Sequence, residues 1–296
     1  MYKQLCFVIL NYKQAENTIN NVKMVSRDYP GCSCLVLDNN SRDGSFERIK
    51  EECKQISNVK IYSNNMNTGY AKGNNFAVKK AIENFAPEFI AIMNPDVILN
   101  DVNLVPKSLN AFKKYNDLAI CTGLMLNEKM DLNYSAVAWK IPDKLDDVIL
   151  NIPIMATFFN PVRYKKFNIH RDSISFVEVV PGSFFLVRTK YFEEIGMFDE
   201  GTFLYCEERI LGIKIKQRGY KAGLVMDAFF LHNHHLGKPR LSSSLATYRR
   251  LFNSRWYFNL QYNTWPEIFV LPFLLFSGLV GFPLILIKHI IMFIVK

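Results

Sequence analysis

The sequence lacks the signatures of several protein classes. Its six cysteines include no CxxC pair, which argues against the common zinc frameworks and dithiol redox motifs. Four of them fall in or beside apolar runs, the pattern of buried, reduced thiols. Cys32 and Cys34 alternate along one predicted strand and stand too close for an ordinary disulfide. No internal repeat and no low-complexity tract interrupts the 296 residues, so a solenoid or a disordered linker protein is excluded. The first apolar run, 5–10, is too short for a cleavable leader and ends in Asn11. The N-terminal domain is therefore expected in the cytoplasm. A formal net charge of +9 points to an anionic partner such as a nucleotide or phospholipid. The basic residues form no recognised nucleic-acid module, and nucleic acid is not an expected partner.

What the chain does have is a repeated pattern of strand-like runs closed by polar clusters. Residues 5–10 end in Asn11-Tyr12, and residues 34–37 end in Asp38-Asn39-Asn40-Ser41. Residues 59–62 run into Asn64, Asn67 and Gly69, and residues 89–93 end in Asn94-Pro95-Asp96. Helical spacing follows each run, over 14–27, 44–56, 71–85 and 103–115. Alternation of this kind predicts an α/β fold, a mostly parallel central sheet flanked by helices. Ligands bind such sheets at the carboxyl ends of the strands, so the four clusters are expected to converge. A fifth strand at 118–124 would complete a nucleotide-binding half, 1–124. The poorly patterned stretch 125–171 reads as a long excursion over a substrate. Strands at 176–180, 183–187, 221–226 and 228–232 and helices at 189–195 and 206–217 make up an acceptor and catalytic half, 125–264.

Residues 265–296 differ. Residues 268–287 carry no charge, long enough as a helix to cross ~30 Å of hydrocarbon. Pro272 and Pro283 would bend it, so the segment is expected either to span a bilayer or to lie in one leaflet. More basic residues precede it than follow it, which places the 1–264 domain on the cytoplasmic side of a cell membrane.

Several residue types at these positions suggest chemistry. Asp38 at a strand end suits a base or ribose, with Asn40 beside it. Residues 67–75, which include Asn67, Gly69, Lys72 and Asn75, open a helix with two glycines and a lysine, a setting for phosphate oxygens. Their spacing is neither that of a P-loop nor that of a dinucleotide fingerprint. Asn94 and Asp96 offer hard oxygen ligands for Mg²⁺ or Mn²⁺ bridging a diphosphate. His232 follows a strand and suits a cation or a phosphate. The basic stretch 238–255 is expected to close over a diphosphate or touch anionic headgroups.

Taken in order, these motifs resemble the family 2 glycosyltransferases with the GT-A fold, in particular the bacterial rhamnosyltransferase-like branch. The likeness covers about residues 5–255. Beyond the clusters already named, it rests on Pro181-Gly182-Ser183, on 196–200 (GMFDE) and on 203–208 (FLYCEE). The resemblance implies a donor site at Asn11, Tyr12 and Asp38, a divalent cation on Asp96 and His232, and an acceptor side at Gly182 and Ser183. Asn94 stands where many relatives carry the first carboxylate of Asp-x-Asp. Glu208, preceded by Glu207, falls where the family keeps its general base, and the family's basic helix residue falls on Lys214. The implied reaction is inverting transfer of a sugar from dTDP-rhamnose or a UDP-hexose to a polyprenyl-diphosphate-linked saccharide. Two other readings remain at this point. One is an inactive, membrane-bound nucleotide-sugar-binding protein. The other is a nucleotidyltransferase, which would need a glycine-rich loop where residues 11–17 have no glycine.

Overall fold

The computed structural model describes residues 2–132, 134–152, 158–170, 172–233 and 241–294. His234, His235, Lys238 and Arg240 lie outside them.

The apolar runs form the expected strands: β1 (Leu5–Asn11), β2 (Ser33–Asp38), β3 (Val59–Ser63), β4 (Phe89–Met93), and β6 (Leu118–Leu126). Helices α1 (Ala15–Asp28), α2 (Ser45–Cys53), α3 (Gly69–Phe85) and α4 (Leu104–Lys114) alternate with them. A two-residue strand β5 (Val97–Ile98) follows β4. Along β1, Leu5, Phe7 and Ile9 face one core and Cys6 and Val8 the other. Helices α1, α2 and α4 cover the first face and α3 the second. Both faces of β1, β2 and β4 are dry, so their runs are continuously apolar rather than alternating, whereas edge strand β3 exposes Lys60. All six cysteines are free and buried.

The second half adds short helices α5 (Tyr134–Val137) and α6 (Lys144–Asn151), then β7 (Ile174–Val177), β8 (Phe184–Arg188), α7 (Thr189–Glu194) and α8 (Glu207–Gln217). The two strands expected at 221–232 are one, β9 (Lys221–His232), with a register shift where it leaves Val225 and resumes at Phe229. The sheet order is β3-β2-β1-β4-β8-β6-β9-β5, with β7 also on β9. Pairing is parallel from β3 to β4, antiparallel on both sides of β8, and parallel again from β6 to β9. Strand β8 thus sits between β4 and β6, and the two sequence halves share one sheet.

Two helices follow, α9 (Leu241–Gln261) and α10 (Glu267–Ile294). Among the described residues no helix is long and apolar enough to cross a membrane. The expectation of a bilayer-spanning segment within 265–296 is corrected accordingly. The packing supplies a reason. Val270, Leu274, Ser277 and Gly281 form an inward stripe of α10, buried against the rest of the protein. Ser277 donates to the Asn151 carbonyl at 2.6 Å, and Gly281 leaves room for Tyr248, whose hydroxyl a Cβ would meet at 2.9 Å. The opposite face leaves Phe269, Leu271, Leu275, Phe276 and Leu279 exposed.

Candidate active site

The carboxyl ends of β1, β2 and β4 lie side by side, as parallel pairing requires, and Asn11 is in register with Asp38. Asn11 is fully buried, and all its amide functions are engaged. It donates to Asp38 Oδ1 at 2.6 Å and to Ser41 Oγ at 3.2 Å. Its oxygen accepts from Gln14 N–H and the Thr18 hydroxyl. Asn11 therefore orients Asp38 rather than opening toward a ligand. Asp38 accepts on Oδ1 from Asn11 and Ser41, and on Oδ2 from the Ser41 N–H at 3.0 Å. With about four lone-pair sites on a carboxylate, Oδ2 keeps one for a ligand. Tyr12 is 43% exposed at the rim, with the Lys13 ammonium 5.4 Å from its ring centroid. Asn40 takes a left-handed turn conformation, and its side-chain oxygen accepts from Arg42.

The start of α3 differs from the phosphate-binding expectation. The amide oxygen of Asn67 accepts from Asn39 and from the Gly69 N–H. The Tyr70 N–H donates to the Phe203 carbonyl at 2.9 Å. Thr68 N–H is taken by Asn39, a buried residue that also binds the Gly69 carbonyl. The first donors of the helix are thus spent on the protein itself. Lys72 is exposed, and at ~100° per residue it lies opposite Tyr70 on the helix. Asn75 is buried and clamps the 198–200 turn: it donates to the Phe198 carbonyl and Glu200, and accepts from Phe198 N–H. Gly69 has φ +80°, and a Cβ there would stand 2.2 Å from the Phe203 carbonyl oxygen. Gly69→Ala is expected to cost roughly 2–5 kcal/mol from left-handed strain plus overpacking. Chemical denaturation of the variant checks this, and a change below about 1 kcal/mol would show that the α3–Phe203 contact is dispensable.

A cavity of about 550 Å³ opens beside the β4 end, lined by Tyr70, Asn94, Gly182, Ser183, Glu207 and Glu208, with Arg209, His232 and Arg255. Asp38 is not among its lining residues. It stands two strands away along the same edge, about 10 Å by strand spacing. The loops of β4 and β8 are tied where Asn94 N–H donates to the Ser183 carbonyl at 2.8 Å. Asp96 and His232, 136 residues apart, meet because Val97 pairs with His232 in the β5–β9 ladder. The His232 Nε2 lies 3.3 Å from Asp96 Oδ1. A carboxylate oxygen and an imidazole nitrogen are suitable ligands for a divalent cation. Among the described residues no group of three or more His, Cys, Asp or Glu could hold a metal ion. Two protein ligands fit an ion that takes the rest of its shell from phosphate and water.

Glu207 and Glu208 open α8, directly after Tyr205 and Cys206, both in left-handed backbone conformation. Non-glycine residues adopt it at a cost, commonly at functional turns. The loop leading there is pinned from two sides. Phe203 is held by Tyr70, while from α9 Ser254 donates to the Leu204 carbonyl at 2.7 Å and Tyr257 to Asp199 at 2.9 Å. Glu208 packs under Gly182, where a Cβ would come within 2.9 Å of its Oε1. Burial pushes the Glu208 carboxyl above its ordinary value, opposed by backbone N–H groups and by Arg209. Glu207 is 3% exposed with its Oε1 unpartnered. Burial first, then repulsion from Glu208, raises it from 4.5 to about 8. Tyr70 is held protonated by burial and by the two glutamates, and donates to the Gly182 carbonyl.

The raised Glu207 has a consequence for stability. The folded protein retains a proton there that the unfolded chain releases, so stability falls as pH rises from about 4.5 to about 8. The slope is at most ~1.4 kcal/mol per pH unit. Glu207→Gln is expected to flatten it, seen as a smaller loss of denaturant midpoint between pH 5.5 and pH 8.5. An identical loss in both proteins would mean that Glu207 is already ionised when buried.

Residues 6–196 match the family described as Glycosyl transferase family 2. The chain belongs to that family. It is 26% identical to rhamnosyltransferase WbbL of Escherichia coli (strain K12) over 232 residues, 75% of this chain and 84% of WbbL. It is 22% identical to the low-salt glycan biosynthesis hexosyltransferase Agl10 of Haloferax volcanii over 249 residues, 84% and 73% of the two chains. Among solved structures, GalNAc-T7 with UDP, GalNAc and Mn²⁺ superposes with a TM-score of 0.62 at 15% identity. That match covers 86% of this chain but only 47% of GalNAc-T7. The mannosyltransferase PcManGT from Pyrobaculum calidifontis, in complex with GDP-Man and Mn²⁺, gives 0.56 at 14% identity, covering 92% and 68%. The fold is GT-A-like, and the family 2 assignment makes the protein a glycosyltransferase using a nucleotide donor.

In this glycosyltransferase the 125–171 excursion supplies Met125, Ala136, Trp139, Leu150 and Val162 to the cavity wall. Lys214 does not reach it: its ammonium bonds the carbonyls of Gly196 and Met197. The cation beside Glu208 is Arg209, paired with buried Asp147 at 2.8 Å. Asp147 Oδ2 is held by Asn151 and Asn259, which ties α6 to α9. Arg209 was within reach of sequence reasoning, as the residue after the expected base. Arg255 ends the basic stretch 238–255 that the sequence marked for a diphosphate or anionic headgroups, whereas Asp147 carried no local signal.

Proposed function

We propose that the protein is an inverting glycosyltransferase that moves a sugar from dTDP-rhamnose or a UDP-hexose to a lipid-linked saccharide in bacterial surface polysaccharide synthesis. The observation that carries this reading is Glu208, a half-buried carboxyl fixed under Gly182 in a cavity that also holds Asn94 and His232. The nucleoside would lie along the sheet edge, with Asp38 Oδ2 accepting from it and Tyr12 offering a ring face. Asp96 and His232 would hold Mg²⁺ or Mn²⁺, which when bound would neutralise the leaving diphosphate. The Mn²⁺ in the GalNAc-T7 and PcManGT complexes supports a divalent ion here.

Glu208 would take the proton from the acceptor hydroxyl as that oxygen forms its bond to the anomeric carbon and the bond to the nucleoside diphosphate breaks. A single displacement inverts the anomeric centre. The exposed apolar face of α10, Phe269 to Leu279, supports attachment within one leaflet, with the catalytic domain on the cytoplasmic side. Incubating the purified protein with a panel of dTDP-, UDP- and GDP-sugars and measuring nucleoside diphosphate release tests the reading. Release is expected from one donor class, and none from any donor would refute it.

A further inference from the structure

Arg255 lines the catalytic cavity, yet its charge is poorly matched. Its guanidinium makes one long contact, 3.5 Å to the Leu150 carbonyl, and its Nε–H is buried without an acceptor. Asp147, the carboxylate whose field acts on Arg255, is already used by Arg209, Asn151 and Asn259. Among the described residues no carboxylate lies within ion-pair distance of Arg255. A half-buried guanidinium with a covered, unpartnered Nε–H is costly unless an anion completes it. Planar N–H forks of this kind suit phosphate oxygens.

The same face of α9 continues out of the cavity. Leu245, Tyr248, Phe252 and Arg255 follow one another at steps of three and four residues, one stripe of the helix. The first three line an apolar groove of about 1040 Å³ between α9 and α10, closed on the other side by Leu274 and Leu279. The stretch of α10 from Leu274 to Leu286 that walls it is about 18 Å long. The end of α6 lies between groove and cavity: Leu150 lines the cavity and receives Arg255, and the next carbonyl, Asn151, receives Ser277 of α10.

We propose that cavity wall and groove are one acceptor subsite for a lipid phosphate, with the phosphate on Arg255 and the hydrocarbon chain between α9 and α10. This assignment rests on the glycosyltransferase reading and specifies how its acceptor is held. The phosphate sits at the α9 wall, apart from the Asp96–His232 pair on the β4 side, so the acceptor saccharide extends from Arg255 toward Glu208. Arg209 stays with Asp147 and positions Arg255 by like-charge repulsion, without contacting the ligand.

The test is binding of geranylgeranyl diphosphate, inorganic diphosphate and geranylgeraniol to the detergent-solubilised full chain, with the donor site saturated by the nucleotide sugar that the protein turns over. Geranylgeranyl diphosphate is expected to bind more tightly than either fragment. Arg255→Met should weaken it about ten- to a hundredfold, the range for losing charge-assisted hydrogen bonds. Arg255→Lys, which keeps the charge but not the fork, should fall between. Phe252→Gln, which removes the apolar ring without adding charge, should weaken geranylgeranyl diphosphate and leave inorganic diphosphate unchanged. Unaltered binding by Arg255→Met or Arg255→Lys overturns the proposal, as does equal affinity for inorganic diphosphate, which would mark a free-anion site. A Phe252→Gln protein that loses self-association but still binds the probe would assign the groove to a second copy and overturn the proposal. Donor turnover by the wild-type preparation separates the two levels. Its absence refutes the glycosyltransferase reading, whereas turnover with an insensitive Arg255→Met refutes only the subsite.

Discussion

Replacing Glu208 with glutamine is expected to lower sugar transfer about 10²–10⁴-fold, the usual contribution of a positioned general base, while donor affinity stays within about twofold. The amide is isosteric, so it fits the space under Gly182 that the carboxylate fills. It cannot accept the acceptor proton. Because burial raises the Glu208 carboxyl, wild-type transfer should also fall as pH drops through a value above the ordinary glutamate range. Only the ionised form is a base, so the loss lies on the acid side. A pH profile of transfer and a donor titration of the variant separate the two effects. Full activity in Glu208→Gln would move the base elsewhere in the cavity, with Glu207 the remaining carboxyl.

Asp96→Ala is expected to reduce turnover by at least about 100-fold, more than the 10–100-fold typical of residues that merely support a metal ligand. The variant should also require more Mn²⁺ to reach half of its residual rate. His232→Ala should act in the same direction but less strongly, because a neutral imidazole brings no charge to the ion. A metal titration of rate for the three proteins checks both statements. Undiminished wild-type transfer in excess chelator would remove the cation from the reaction.

The centre of the sheet was readable because both faces of β1, β2 and β4 are buried, and the half-exposed edge strand β3 still shows as an alternating run. The runs ending at Leu10, Leu37, Tyr62 and Met93 contain no inward polar residue to confuse strand with loop, and each strand falls within about one residue of its expected bounds. That Asp96 and His232 stand next to each other follows from a related feature: each lies at a strand end, and strand pairing does the rest. The start of α3 misled. Glycines and a lysine at a helix N-terminus read as a phosphate cradle, but the Phe203 backbone occupies the space and the N–H groups. Nothing local distinguishes a glycine that admits a ligand from one that admits another loop. Asn11 and Asn75 belong to the same lesson, since a buried amide that satisfies neighbours has the same sequence signature as one that binds substrate. Arg255 and Asp147 come from a helix and an excursion that only tertiary packing brings together.

Strand β8 is wedged between β4 and β6, which deprives the molecule of a hinge. Enzymes built from two separately hung lobes select substrates by closing one lobe on the other. Here the strand ends that carry Asp38, Asn94 and His232 are mounted on a single slab, so they cannot swing against one another as two lobes do. Admission and release must then fall to the segments laid against the sheet, the 125–171 excursion and α9 among them, and mutations that stiffen those segments should slow product departure before they slow bond making.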